Sequence, residues 1–378
     1  MQKKLIALAV ASAMAAPVAL ADVTVYGKMD VSYNFIDNDT TDVTGAASAL
    51  NFEDDNQSIN SNSSRLGFKG SEDLGGGLKA NFQIESAIKV DGDGTGLNQR
   101  NTWAGLSGGW GEVRLGRHDT PFKIAGRKTD LYESEQLGEN RAVFNQPVSI
   151  ATTTTAGTDT GLGYDIRARN ALAYFTPNFS GFQGAVAYIP EEGIDDGDAW
   201  SVAAFYGNGP LFLTVAYEQL NEGASGVSSS VLATGTDEQT AWRFGGAYTF
   251  GDFKFSGLYQ MGKDEAGVDG LDHDAWWLGG QYTFGNNQAM VTYGQSDYDN
   301  VAGFTDDREF DVWTIGLNHN FSKRTMLYAR YASLDNESGS GATLNSSGFD
   351  NGDGNSDQGV TDLGGESSGF SVGMRHKF

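Results

Sequence analysis

Large apolar residues alternate with small or polar ones along much of this chain. In 242–250, Trp242, Phe244, Tyr248 and Phe250 share one face, and Arg243, Ala247 and Thr249 share the other. In 253–261, Phe253, Phe255, Tyr259 and Met261 oppose Lys254, Ser256 and Gln260. Segment 313–321 sets Trp313, Ile315, Leu317 and Phe321 against Thr314, Gly316, Asn318 and Asn320. A period of two with one apolar and one polar face is a half-buried strand. The polar face carries Arg and Lys in mid-strand, which a dry sandwich core would not tolerate unpaired.

The pattern predicts strands near 23–36, 60–71, 77–90, 98–108, 110–118, 165–176, 181–190, 199–207, 210–221, 239–250, 252–262, 273–284, 287–297, 309–321, 324–334 and 368–378. That is an even set of sixteen. Connections alternate between tight turns, such as Gly207-Asn208-Gly209-Pro210, and long stretches at 37–59, 119–164, 221–238 and 335–367. Aromatics close successive hairpins: Tyr248-Thr249-Phe250-Gly251 returns as Tyr282-Thr283-Phe284-Gly285 and as His319-Asn320-Phe321-Ser322, and Phe378 ends the chain. Short turns at one rim, long loops at the other and an aromatic at a fixed depth describe an outer-membrane β-barrel. A β-helix or a set of sandwiches would satisfy the alternation alone. The recurrent rim aromatics, the loop alternation and Phe378 favour the barrel.

The N-terminus reads as an export address. Lys3 and Lys4 precede an apolar run at 5–14 and an Ala19-Leu20-Ala21 cleavage site, so a signal peptide over 1–21, cut after Ala21, is expected. No later apolar run approaches the length of a spanning helix. With only 6 prolines and no composition break to mark a linker, residues 22–378 are expected to form one barrel. The chain has no cysteine, so it is stabilised without disulfides. Removing Lys3 and Lys4 from the 25 basic residues leaves 23 against 49 acidic ones, a mature net charge of −26. That argues against nucleic acid as a partner.

Several segments resemble the general porins of Gram-negative outer membranes. Ser64-Arg65-Leu66-Gly67-Phe68-Lys69-Gly70-Ser71-Glu72-Asp73-Leu74 is similar to their second strand. The stretch from Arg100 through Trp103-Ala104-Gly105-Leu106 to Gly111-Glu112-Val113-Arg114-Leu115-Gly116-Arg117 is similar to the hairpin before their pore loop, and Asn170-Ala171-Leu172-Ala173-Tyr174 to the strand after it. Gly373-Met374-Arg375-His376-Lys377-Phe378 resembles their last strand. The resemblance implies an all-β fold: a 16-stranded antiparallel transmembrane β-barrel with short periplasmic turns, long extracellular loops and an inward-folded third loop. It also implies a homotrimer among outer-membrane lipid and lipopolysaccharide, open to passive diffusion of ions and small hydrophilic solutes. The last strand, through Phe370, Val372, Met374 and Phe378, would be read by the barrel-assembly machinery.

The part of 119–164 that resembles the pore loop carries Asp130, Glu133, Glu135 and Glu139, the expected acidic side of a constriction. Lys28, Arg65, Arg100, Arg167 and Arg169 resemble the family's basic wall by position. Lys28 opposes the parity of Val25, Met29 and Val31, and Arg65 that of Leu66 and Phe68. Arg100 has the opposite parity to Trp103, Arg167 to Leu172 and Tyr174, and Arg169 shares the face of Arg167. The plainer alternative is that these arginines pair with lumen carboxylates such as Glu85 or Glu112 and stiffen the wall. Opposed charges make a transverse field that orders water and aligns dipolar solutes. The overall charge suggests a weak preference for cations.

No catalytic set emerges: His118, His273, His319 and His376 lie near strand ends, and none has zinc-ligand spacing to another. Asp91-Gly92-Asp93-Gly94-Thr95-Gly96 resembles the start of a calcium loop, but the twelfth position is Thr102 and not Glu. No cofactor or metal is expected, although weak divalent binding at acidic loops, including 350–357, stays open. A substrate-specific channel, a plugged adhesin or receptor barrel, and a barrel enzyme with a Ser–His or carboxylate–His pair at one rim are the competing functions.

Overall fold

A computed structural model of the chain describes residues 22–38, 55–90, 98–132, 136–145, 164–190, 197–222, 237–299, 308–337, 340, 342, 344 and 364–378. The expected signal peptide, the calcium-like loop at 91–96, the acidic stretch 350–357, Glu133 and Glu135 lie outside these residues.

Most strands begin within a few residues of the alternation. They are β1 (Asp22–Asn38), β2 in two pieces (Asp55–Ser61 and Arg65–Gly75), β3 (Leu78–Ala87), β4 (Asn98–Gly108), β5 (Gly111–Asp119) and β6 (Arg167–Phe175). There follow β7 (Phe182–Ile189), β8 (Ala199–Asn208), β9 (Leu211–Leu220), β10 (Gln239–Phe250) and β11 (Phe253–Lys263). The last five are β12 (Asp272–Phe284), β13 (Asn287–Asp299), β14 (Arg308–Asn320), β15 (Thr325–Asn336) and β16 (Glu366–Lys377). Every neighbouring pair is antiparallel, and β16 returns to β1 in a register from Lys28↔Lys377 to Asn38↔Ser367. The sheet has no free edge. That closure satisfies the backbone in lipid, where an unpaired amide costs several kcal/mol.

β2 starts earlier than the pattern predicts. Asp55–Ser61 pairs with β1, but with only Ile59 apolar it has no alternation to read. The break at 62–64 is held from the side: Asn62 N donates to Asp30 O at 2.8 Å, and Asp30 N donates to Ser64 Oγ at 2.9 Å.

The outward face is the apolar one. Phe250, Phe255, Leu278, Ile315, Leu317 and Phe321 are all more than half exposed, while inward neighbours such as Arg243, Thr314 and Arg330 are buried. At the β16–β1 seam, Phe378 exchanges both backbone hydrogen bonds with Gly27 (3.0 and 3.1 Å). A Cβ on Gly27 would sit 2.3 Å from the Phe378 ring, so the residue opposite the terminal aromatic must be glycine.

The inward face of β6–β10 is unusual for a water-filled pore, being lined by Ala171, Ala173, Ala185, Ala187, Ala203 and Ala216. Those small side chains make room for a covering element. Helix α1 (Pro121–Thr129) lies there, with Phe122 and Ala125 buried among them. Proline at its start and the Thr120 hydroxyl accepting from Lys123 N fix its entry. A second short helix, α2 (Arg141–Phe144), packs Val143 and Phe144 with Leu137 against Trp277, Tyr298 and Phe310. The described parts of the segment between β5 and β6, 120–132 and 136–145, are thus bound to the inner wall by apolar burial.

Candidate pore constriction

The inward segment crosses the barrel and is fastened at several points. Phe122 N donates to Ser201 Oγ at 3.0 Å on β8. Thr129 O accepts from Ser256 Oγ on β11. Gln136 Nε2 reaches Asp30 Oδ2 at 2.9 Å on β1. Asp30 also pairs with Lys28 at 3.3 Å and accepts from Tyr328 OH at 2.8 Å.

Three carboxylates around this segment each sit between two guanidinium groups. Glu85 on β3 takes Arg100 Nε at 2.8 Å and Arg65 Nε at 3.6 Å. Asp119 at the end of β5 takes Arg167 Nε at 3.0 Å and Arg127 Nη1 at 3.4 Å. Asp165, before β6, takes Arg243 Nη1 at 2.6 Å and Arg141 Nε at 3.8 Å. The acid side chains are only 7%, 8% and 4% exposed, whereas Arg65, Arg127 and Arg141 keep 25%, 24% and 18%. Water therefore meets the cations first. Burial alone would raise the Asp165 carboxyl, but Arg243, Arg141 and Lys123 outweigh it and hold it below the ordinary aspartate value. Lys123, whose Nζ donates to the Asp165 carbonyl, is pushed well below the usual lysine range by burial and by Arg127.

The expected site residues divide. Arg65 and Arg100 share the inward face with Glu85, the partner that the plainer alternative named. Arg100 gets there by another route than strict parity. Register shifts between Ile84 and Ser86, so Arg100 and Asn101 oppose Glu85 as a bulge. Trp103 consequently faces inward too, with the Arg114 guanidinium 4.2 Å over its ring. Its assignment to the opposite parity is corrected. A second bulge, between Gly116 and His118, interrupts the alternation at Arg169 and Asn170, where Asn170 has φ 53°. Arg167 is tied to Asp119 and Asn101, whereas Arg169 is exposed. Lys28 and Glu139, expected at the pore surface, are each only 2% exposed, with Lys28 against Asp30 and Glu139 3.7 Å from Arg141. Asp130 is half-buried and accepts from the backbone of Tyr132 (3.1 Å) and Asn140 (3.4 Å).

Arg114, Asp119, Arg127, Arg141 and Asp165 are not among the expected site residues, and Arg243 is expected only on the polar face of its strand. The alanine run on the inward face of β6–β8 was the available signal, since it marks wall that something must cover.

One set has the spacing of a proton relay. Ser296 Oγ lies 2.8 Å from His273 Nε2, and His273 Nδ1 lies 3.0 Å from Glu265 Oε1. All three are at most 1% exposed, and Tyr298 stacks on the imidazole at 4.0 Å. The serine hydroxyl is closed off from solvent. The set holds the 3-10 turn Glu265–Gly267 to the wall. Among the described residues no group of three His, Cys, Asp or Glu side chains is placed to hold a metal ion.

The sequence profile of the Gram-negative porin family matches residues 7–339. Outer membrane porin protein 32 of Delftia acidovorans is 33% identical over all of both chains. The major outer membrane protein P.IB of Neisseria gonorrhoeae is 26% identical over 86% of this chain and 91% of its own. Among solved structures, an anion-selective porin from Comamonas acidovorans superposes with a TM-score of 0.73 at 28% identity, covering 95% of this chain and 100% of that one. This chain belongs to the Gram-negative porin family and is a barrel of the bacterial outer membrane.

Proposed function

We propose that the barrel is a water-filled channel for passive diffusion of small hydrophilic solutes, with a preference for anions. The observation that carries the preference is the pairing of single buried carboxylates with two guanidinium groups each, which leaves the accessible charge positive. The cation preference expected from the net charge of −26 gains no such support. Acidic residues such as Asp350, Asp353 and Asp357 belong to long connections. With strands of about twelve residues the rim is roughly 15–20 Å from mid-barrel. That exceeds the Debye length of about 8 Å at physiological salt, so rim charge is largely screened at the constriction. The Comamonas relative, described as anion-selective, points the same way.

A trimer fits the outer surface. Outward residues on β3–β6 include the aliphatics Ile84, Leu106, Leu115 and Leu172, while β10–β12 present Trp242, Phe244, Phe250, Phe253, Phe255 and Tyr282. On β3–β6 the aliphatics fill mid-strand, with Trp110 and Tyr174 stacked at one end; an aliphatic mid-strand face suits a protein neighbour, and an aromatic-rich one suits lipid and lipopolysaccharide. Outward Phe370, Val372 and Met374 with terminal Phe378 support recognition of the last strand by the assembly machinery.

The test is reversal potential across a tenfold KCl gradient with refolded protein in a planar bilayer. An anion-carried potential is expected. A cation-carried one overturns the preference and leaves the channel. Silence from folded, heat-modifiable protein overturns the channel and favours a plugged barrel.

A further inference from the structure

Arg243 is a strand residue whose side chain is shared between its own sheet and the segment folded over it. It sits on the inward face of β10 and is 1% exposed. From β11, Gln260 Oε1 accepts from its Nε at 3.1 Å and from its Nη2 at 2.5 Å. Its remaining hydrogen-bond and ring partners among the described residues belong to the inward segment. Nη1 donates to Asp165 Oδ1 at 2.6 Å on the return limb and to Phe122 O at 3.4 Å on the outgoing one. The guanidinium lies 4.1 Å over the Phe122 ring and 5.5 Å from that of Phe144 in α2. Gly126 rides directly above it, since a Cβ there would come within 2.4 Å of Nη1.

One cation thus touches α1, α2 and the return limb, three stretches separated by tens of residues. We propose that Arg243 is the positioning residue that holds both limbs of the inward segment against the wall and so sets the cross-section and ion preference of the pore. The proposal rests on the reading that this segment borders the channel. Apolar packing under α1 is non-directional, and the hydrogen bonds to Ser201 and Ser256 hold only the outgoing limb; a planar guanidinium fixed on Gln260 through Nε and Nη2 and aimed through Nη1 at Asp165 and the Phe122 carbonyl sets the registration of both limbs. Arg127 and Arg141 are carried by the segment, so a shift of the clamp moves the charges that ions meet.

Three variants test it in planar bilayers, each checked for the folded barrel by heat-modifiable migration. Arg243→Ala removes the fork. Gly126→Ala leaves the wall intact and drives a methyl into the guanidinium, so it reports even if Arg243→Ala fails to fold. Arg243→Lys keeps the charge without the fork. Expected for the first two are open-channel noise and a conductance raised roughly twofold, because a mobile segment widens the constriction, with a reduced anion preference. Arg243→Lys should be noisy as well, since charge alone does not fix registration. Conductance, noise and reversal potential equal to wild type in folded Gly126→Ala and Arg243→Lys would overturn the proposal. Wild-type reversal potential, measured alongside, judges the anion reading separately.

Discussion

Gln136 Nε2 donates to Asp30 Oδ2 across 2.9 Å, joining the middle of the inward segment to the first strand of the barrel. The two residues are 106 positions apart, and Asp30 is fully buried. Replacing Gln136 by Leu should cost about 1.5–3 kcal/mol, the range for a hydrogen bond to a charged group. Urea unfolding in detergent checks the size, and a loss below about 0.3 kcal/mol would mean that the contact is idle.

Glu85 neutralises part of Arg65 and Arg100. Glu85→Gln should therefore strengthen anion permeation, and Arg65→Gln should weaken it. Reversal potentials that move the other way would place these charges outside the conduction path.

The Asp165 clamp has a defined pH window. Its carboxyl is held below the ordinary value of 3.8, so the contribution is present above that value and is lost as pH falls through the lower, folded-state one. Channel noise should stay flat from neutral pH down to about 4 and rise only in stronger acid. Asp165→Asn should be noisy at neutral pH and show no such acid onset. A wild-type onset near pH 6 would assign the response to another group.

Leu317 is 52% exposed and its neighbour Asn318 only 8%. Leu317→Arg, four residues from the rim aromatic Phe321, should destabilise the barrel in lipid by about 1–2 kcal/mol, between the interface and midplane ranges. Asn318→Arg, facing the lumen beside Arg330, should alter conductance more than stability. Equal stability losses would contradict the inward–outward assignment.

Deleting Phe378 removes the backbone pair with Gly27 and the ring packed on it. Refolding yield in vitro should fall, because the seam loses its last rung. Normal refolding with a low amount in cells would instead assign the residue to recognition alone.

The alternation of side chains is enough to specify the barrel, because a closed membrane sheet repeats one local rule. Each strand must face lipid with every second residue, and Phe244 or Leu317 obeys that rule without reference to any distant partner. The same rule placed Arg65 and Arg243 on the inward side. It failed at Trp103 and Arg169, where a bulge on each strand adds a residue and period two no longer reports the face. It was silent for Asp55–Ser61, whose pairing needs hydrogen bonds but no apolar alternation. Which charges meet water was decided only by tertiary structure. Glu85, Asp119 and Asp165 look as exposed in sequence as any other acid, and their burial comes from arginines brought in from other strands and from the inward segment. Net charge counts residues equally, whereas an ion in the channel feels those that remain solvated near it. Selectivity belongs to that three-dimensional sorting of charge.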